Sequence, residues 1–165
     1  MSRNKTDVAA AACAATFIVV LGVSAYWDRS IRALHVFEAL PYLAAAILCL
    51  RQSKVGYALG AAGAASWLWM AGFLTTFIRN GFERLLMLFR AGGVDRLDLL
   101  IAVPAAIATG GLLLFSVAGY ARLPTKSWRD LGLLAAAFVV VLLFFLLIFA
   151  AFAPRYLAMF RRLFG

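Results

Sequence analysis

A chain of 165 residues that is 65% hydrophobic and only 14% charged, with mean hydropathy +0.96, does not have the composition of a soluble domain. A net charge of +9 would suit nucleic acid, but the 16 Lys and Arg residues stand in loops and at the ends of long apolar blocks. Such residues meet lipid head groups and snorkel, so no nucleic-acid partner is expected and anionic lipid is the expected one.

The first predicted element is a helix over residues 8–27, which no Asp, Glu, Lys or Arg interrupts. A bilayer core of about 30 Å takes about 20 apolar residues to cross. Arg3, Lys5 and the stretch Val23-Ser24-Ala25 resemble parts of a signal peptide. The apolar run is longer than a signal core, and a retained span is expected.

The second element lies in RALHVFEALPYLAAAILCL, residues 32–50. Its charge-free part, residues 39–50, covers only about 18 Å at about 1.5 Å per residue, too little to cross. A span here must reach back to Ala33, over residues 33–50, and then carries Glu38 about one and a half turns inside the boundary. The alternative is a re-entrant or surface segment, whose backbone would need burial in protein or water. On a helix, His35, Glu38 and Tyr42 share one face, with Cys49 two turns further on. Pro41 cannot donate to the carbonyl of Phe37, which leaves a polar backbone atom beside Glu38 and permits a kink. An intramembrane carboxylate is costly unless paired or protonated, so Glu38 is a functional candidate. Arg79 is the first expected partner and His35 the second.

The third span is expected over residues 55–78. Gly56, Gly60 and Gly63 fall on one face and let neighbouring backbones approach. The same face continues as Trp67, Met70 and Leu74. Trp67 and Trp69 lie mid-span, away from the interfacial belts where tryptophan is common. They are either bundle or subunit-interface filler, or the wall of an apolar cavity. Thr75, Thr76 and Arg79 close this span. An amphipathic helix follows over 82–91, with Phe82, Leu85, Leu86 and Phe89 at helical spacing against Glu83, Arg84 and Arg90, and Gly92-Gly93 ends it. The fourth span covers 99–121, led by Asp98, with Gly110-Gly111 read as packing. The fifth covers 131–153 and is uniformly bulky from Phe138 to Phe149, a surface for lipid or a flat partner. A second amphipathic helix is expected over 155–164, with Arg155, Arg161 and Arg162 opposite Tyr156, Met159, Phe160 and Leu163.

The expected fold is therefore an all-α integral membrane bundle of five transmembrane helices, a single domain over 1–165, with two interfacial helices. Four spans meet the length criterion outright, and residues 33–50 meet it only with the extension. If the N-terminal side is A, seven Lys and Arg lie on A and nine on side B. The positive-inside rule needs a clear excess and does not orient the chain. Tyr26, Trp27, Tyr57, Tyr120, Trp128 and Tyr156 are read as interfacial belts. The polar groups near the boundary, His35, Glu38, Thr76, Arg79, Asp98 and Arg155, are expected to gather on side B.

No catalytic set, metal site or cofactor is expected. One histidine cannot ligate a haem on both faces, Cys13 and Cys49 stand alone, and no G-x-S-x-G or phosphate-binding loop is present. The leading expectation is a non-catalytic accessory or scaffold subunit, in a homo-oligomer or with other membrane subunits, in a bacterial inner membrane. The alternative is a small transporter or binder of a lipid-like or anionic solute. There Glu38 is the gate, Trp67 and Trp69 are the wall and Arg79 is the anion contact. A third reading is a lipid-modifying enzyme, with His35 and Glu38 as an acid–base pair. In each, Arg84, Arg90, Arg155, Arg161 and Arg162 are expected at lipid head groups.

Overall fold

The computed structural model describes residues 4–93 and 95–164, with side chains as far as Met159. Every regular element among them is a helix. In chain order these are α1 (Lys5–Trp27), α2 (Arg32–Leu50), α3 (Lys54–Trp69), α4 (Phe77–Ala91), α5 (Ala102–Ala121), α6 (Arg129–Phe152) and α7 (Pro154–Phe164). A 3-10 turn over Arg29–Ile31 leads into α2, and another over Leu97–Ile101 leads into α5. With those turns counted, five helices are long and apolar enough to cross a membrane.

Local chemistry sets the ends. Asn4 caps α1 by accepting from the Thr6 N–H at 3.4 Å. Asp28 ends α1 and accepts from the Ser30 N–H at 2.9 Å and its hydroxyl at 2.6 Å, which fixes the tight turn into α2. Among the described residues, two that are not glycine adopt the left-handed conformation at corners: Gln52 between α2 and α3, and Thr76 between α3 and α4. Gly92, also left-handed, ends α4. Pro154 opens α7, where a missing N–H costs nothing.

Several element bounds differ from the sequence expectation. Asp7 is inside α1, in its first turn. Helix α2 runs unbroken through Pro41 to Arg32. The third span ends at Leu74, not Ile78, in a wider π-helical turn over Met70–Leu74. There the Thr75 N–H bonds the Met70 carbonyl at 3.0 Å, five residues back. Phe77 and Ile78 belong to the amphipathic helix, which therefore starts before residue 82.

Helix α3 is the centre of the bundle, against α2, α5 and α6, while α1 packs on α2 and α5. The glycine face of α3 lies in the crevice between two neighbours. Gly56 and Gly63 face α2, and Gly60 faces Leu112 and Ser116 of α5. A Cβ on Gly56 would come within 2.5 Å of the Leu48 backbone, so only glycine permits that approach. Gly111 likewise admits Cys13, whereas Gly110 meets nothing within 4 Å. At mid-height Phe17, Tyr42 and Trp67 join α1, α2 and α3, with ring centroids 4.5 Å and 4.9 Å from Phe17. Helix α6 buries Ala137, Val141, Phe145, Ile148 and Phe149 as one stripe and turns Val139, Val140, Leu143 and Leu147 outward.

Candidate functional site

The alternating helices define two ends. End A holds the starts of α1, α3 and α6, and end B holds their finishes.

At end B, the last turns of α1 and the first turns of α2 run antiparallel out of the Asp28 turn. This sets Ser24 of α1 opposite His35 of α2. Ser24 Oγ lies 3.0 Å from His35 Nε2. One turn along α2, Glu38 Oε2 lies 2.9 Å from His35 Nδ1. An ionised Glu38 only accepts hydrogen bonds, so Nδ1 donates to it. A neutral ring then leaves Nε2 to accept from the Ser24 hydroxyl. Glu38 is 5% exposed, so the imidazole serves as its link toward open space.

That space is a cavity of about 130 Å³. Ser24, His35 and Glu38 form its polar wall. Leu34, Trp67, Met70, Ala71, Leu74 and Phe149 make most of the apolar remainder, and Thr75 and Tyr156 also line it. The π-helical turn supplies Met70, Ala71 and Leu74. Such turns displace side chains from the regular helical register and recur at functional sites.

The sequence-derived site is only partly assembled. His35, Glu38 and Trp67 meet at the cavity. Tyr42 lies deeper, fully buried, and donates to the Gly63 carbonyl at 3.0 Å. Trp69 packs against the core but does not line the cavity. Thr76 is exposed at the α3–α4 corner, where its carbonyl accepts from the Asn80 N–H at 2.9 Å. Arg79 is not the partner of Glu38: it is exposed and pairs with Glu83 at 2.8 Å, one turn along α4. The second choice, His35, holds that position because it shares α2 with Glu38.

Among the basic residues assigned to lipid, Arg90 is exposed and Arg84 pairs with Asp95 at 3.1 Å. Arg155 lies 5.2 Å from the Tyr156 ring centroid. The side chains of Arg161 and Arg162 fall outside the described residues. The outward stripe of α4 is Phe82, Leu86 and Phe89.

The expectation that polar groups gather at side B alone is corrected by end A. Asp7 is 3% exposed and accepts from the Tyr57 hydroxyl at 2.6 Å and the Gln52 amide at 3.0 Å. Arg122 donates to Asn4 at 2.9 Å and to the Thr6 hydroxyl. Asp130 takes Lys54 at 2.8 Å, the Tyr120 hydroxyl at 2.8 Å and the Ser127 N–H at 2.9 Å. Tyr57 is therefore a buried tie and not a belt residue. Tyr26 and Trp128 are strongly exposed. A second cavity of about 190 Å³ lies at this end, between α3, α5 and α6, and Lys54, Tyr57, Tyr120 and Asp130 on its wall all bond one another or Asp7.

Sequence reasoning missed Ser24 and Asp7. Ser24 was available in principle: residues 24 and 35 are equidistant from the middle of the 28–31 connection, and an antiparallel hairpin sets such pairs at one height. Asp7 had no comparable signal, because its donors come from around residues 52 and 57. Comparison with protein-family models, curated proteins and solved structures gives no match to this chain.

Proposed function

We propose that the chain is a multi-pass membrane protein that holds an amphiphile, an apolar body with a polar head, in the end-B cavity. The observation that carries this reading is a cavity with apolar walls and one polar side made of Ser24, His35 and Glu38. Ligand pockets commonly combine apolar walls with a few placed polar groups. A cavity of about 150 Å³ holds a molecule the size of benzene, so this one, at about 130 Å³, takes a small head group or the first atoms of a chain while the rest of the amphiphile lies outside it. Support for a lipid setting comes from the exposed apolar stripe of α4, which suits an interfacial helix. The accessory-subunit reading rests on the lack of a recognisable catalytic set in the sequence, on the mid-span Trp67 and Trp69, and on the bulk of α6. Lipid covers the outward face of that helix equally well, so the cavity is the more specific feature.

Native mass spectrometry of protein extracted gently from its own membrane tests the proposal. The expected result is a stoichiometric small molecule or lipid, lost in Ala71→Leu, which fills the cavity. Bare protein, or foreign subunits in fixed ratio with an empty cavity, would contradict it.

A further inference from the structure

The order Ser24 Oγ, His35 Nε2, His35 Nδ1, Glu38 Oε2 is that of a nucleophile, its general base and the carboxylate that orients the base. Both links are at hydrogen-bond length, 3.0 Å and 2.9 Å. A structural histidine needs only to satisfy its two nitrogens. Here the nitrogen away from the carboxylate meets a primary hydroxyl on another helix, and that hydroxyl lines a cavity. A buried Glu38 against Nδ1 fixes the tautomer that lets Nε2 take a proton. Leu34 of α2, Trp67 of α3 and Phe149 of α6 give the same space apolar walls beside the hydroxyl.

We propose that Ser24 is a nucleophile for acyl transfer, with His35 as general base, Glu38 as its positioning residue and an acyl ester of an amphiphile as substrate. This rests on the binding role of the end-B cavity proposed above. Ser24 Oγ bonds to the acyl carbon while its proton passes to His35 Nε2. The bond to the leaving alcohol breaks, and the alcohol departs with that proton. Water then gives a proton to Nε2 and its hydroxide to the acyl carbon. The Ser24 ester opens, Oγ recovers the proton, and a free carboxylic acid is released.

The test is a long-chain alkyl fluorophosphonate added to the intact protein in lipid vesicles, with adducts located by peptide mass spectrometry. The same samples are run by native mass spectrometry with the unreactive alkylphosphonate to report binding alone. The expected result is loss of fluoride and one adduct on Ser24, absent in Ser24→Ala. Glu38→Gln, which keeps the side-chain shape, should slow labelling at least 100-fold, and Ser53→Ala at the other end should label normally. Retention of the alkylphosphonate with no Ser24 adduct would overturn the nucleophile and leave the binding reading standing. Neither retention nor adduct would overturn both. Labelling at full rate in both Glu38→Gln and His35→Gln would overturn the proposed relay.

Discussion

The two ends of this bundle use similar residues to opposite effect. At end A, Asp7 and Asp130 are each held by donors from other parts of the chain, and the polar groups around them close on one another. At end B, Glu38 has one side-chain partner among the described residues, His35, and that partner leads to Ser24 on the cavity wall. A closed network ties helices together. An open-ended chain of groups leaves its last member to a ligand. On the proposed reading it is this difference, and not burial, that sets the two carboxylates apart, because Asp7 and Glu38 are almost equally buried.

The largest effect expected from breaking this contrast is at Asp7. Asp7→Ala removes the acceptor for Tyr57 and Gln52 and leaves a buried phenol unpaired. A loss of about 3 kcal/mol is expected, read as a lowered unfolding midpoint in detergent. Next is the seam between α2 and α3. Gly56→Ala drives a methyl into the Leu48 backbone and should cost about 2 kcal/mol by the same assay. Gly110→Ala, with open space around it, should be neutral or slightly stabilising.

At end B the expected stability effects are smaller. Glu38→Gln keeps an acceptor for His35 and should cost about 1 kcal/mol or less. A cost near that of Asp7→Ala would erase the distinction between the ends. The smallest effect belongs to Asp28. Its Ser30 hydrogen bonds hold its carboxyl below the usual range, so the folded state favours the ionised form. That contribution is complete above the unfolded value of about 3.9 and fades as pH falls through the lower folded value. In Asp28→Ala the acid-side decline should flatten, with a cost under about 1 kcal/mol because the group is exposed.

Much of the fold was legible because one-dimensional signals determine it. Apolar runs marked four crossing-length helices outright and a fifth once residues 39–50 were extended back to Ala33, the spacing of Phe82, Leu85, Leu86 and Phe89 marked an amphipathic helix, and Gly56 marked a close helix approach. The site was legible mainly along α2, with Trp67 of α3 the one residue expected from another helix that also lines the cavity. His35 and Glu38 are three residues apart on α2, so their pairing follows from helical spacing. Arg79 was misplaced because the chain turns at Thr76, and a left-handed threonine has no sequence signature. That turn sends Arg79 along α4 to Glu83. Asp7 was hidden for the same kind of reason: its donors arrive from α3 and the α2–α3 corner, and their convergence is a property of packing.

The most direct test of the account is to map where an amphiphile sits. A fatty-acid ester carrying a photoactivatable diazirine near its head group would be irradiated with the protein in vesicles, and the labelled peptides sequenced. Saturable labelling at Leu34, Met70, Ala71 and Phe149, competed by the unlabelled ester and lost in Ala71→Leu, is the expected result. Labelling spread over the outward face of α6, unsaturable and unchanged by Ala71→Leu, would show that end B holds no ligand and that its polar groups only join α1 to α2.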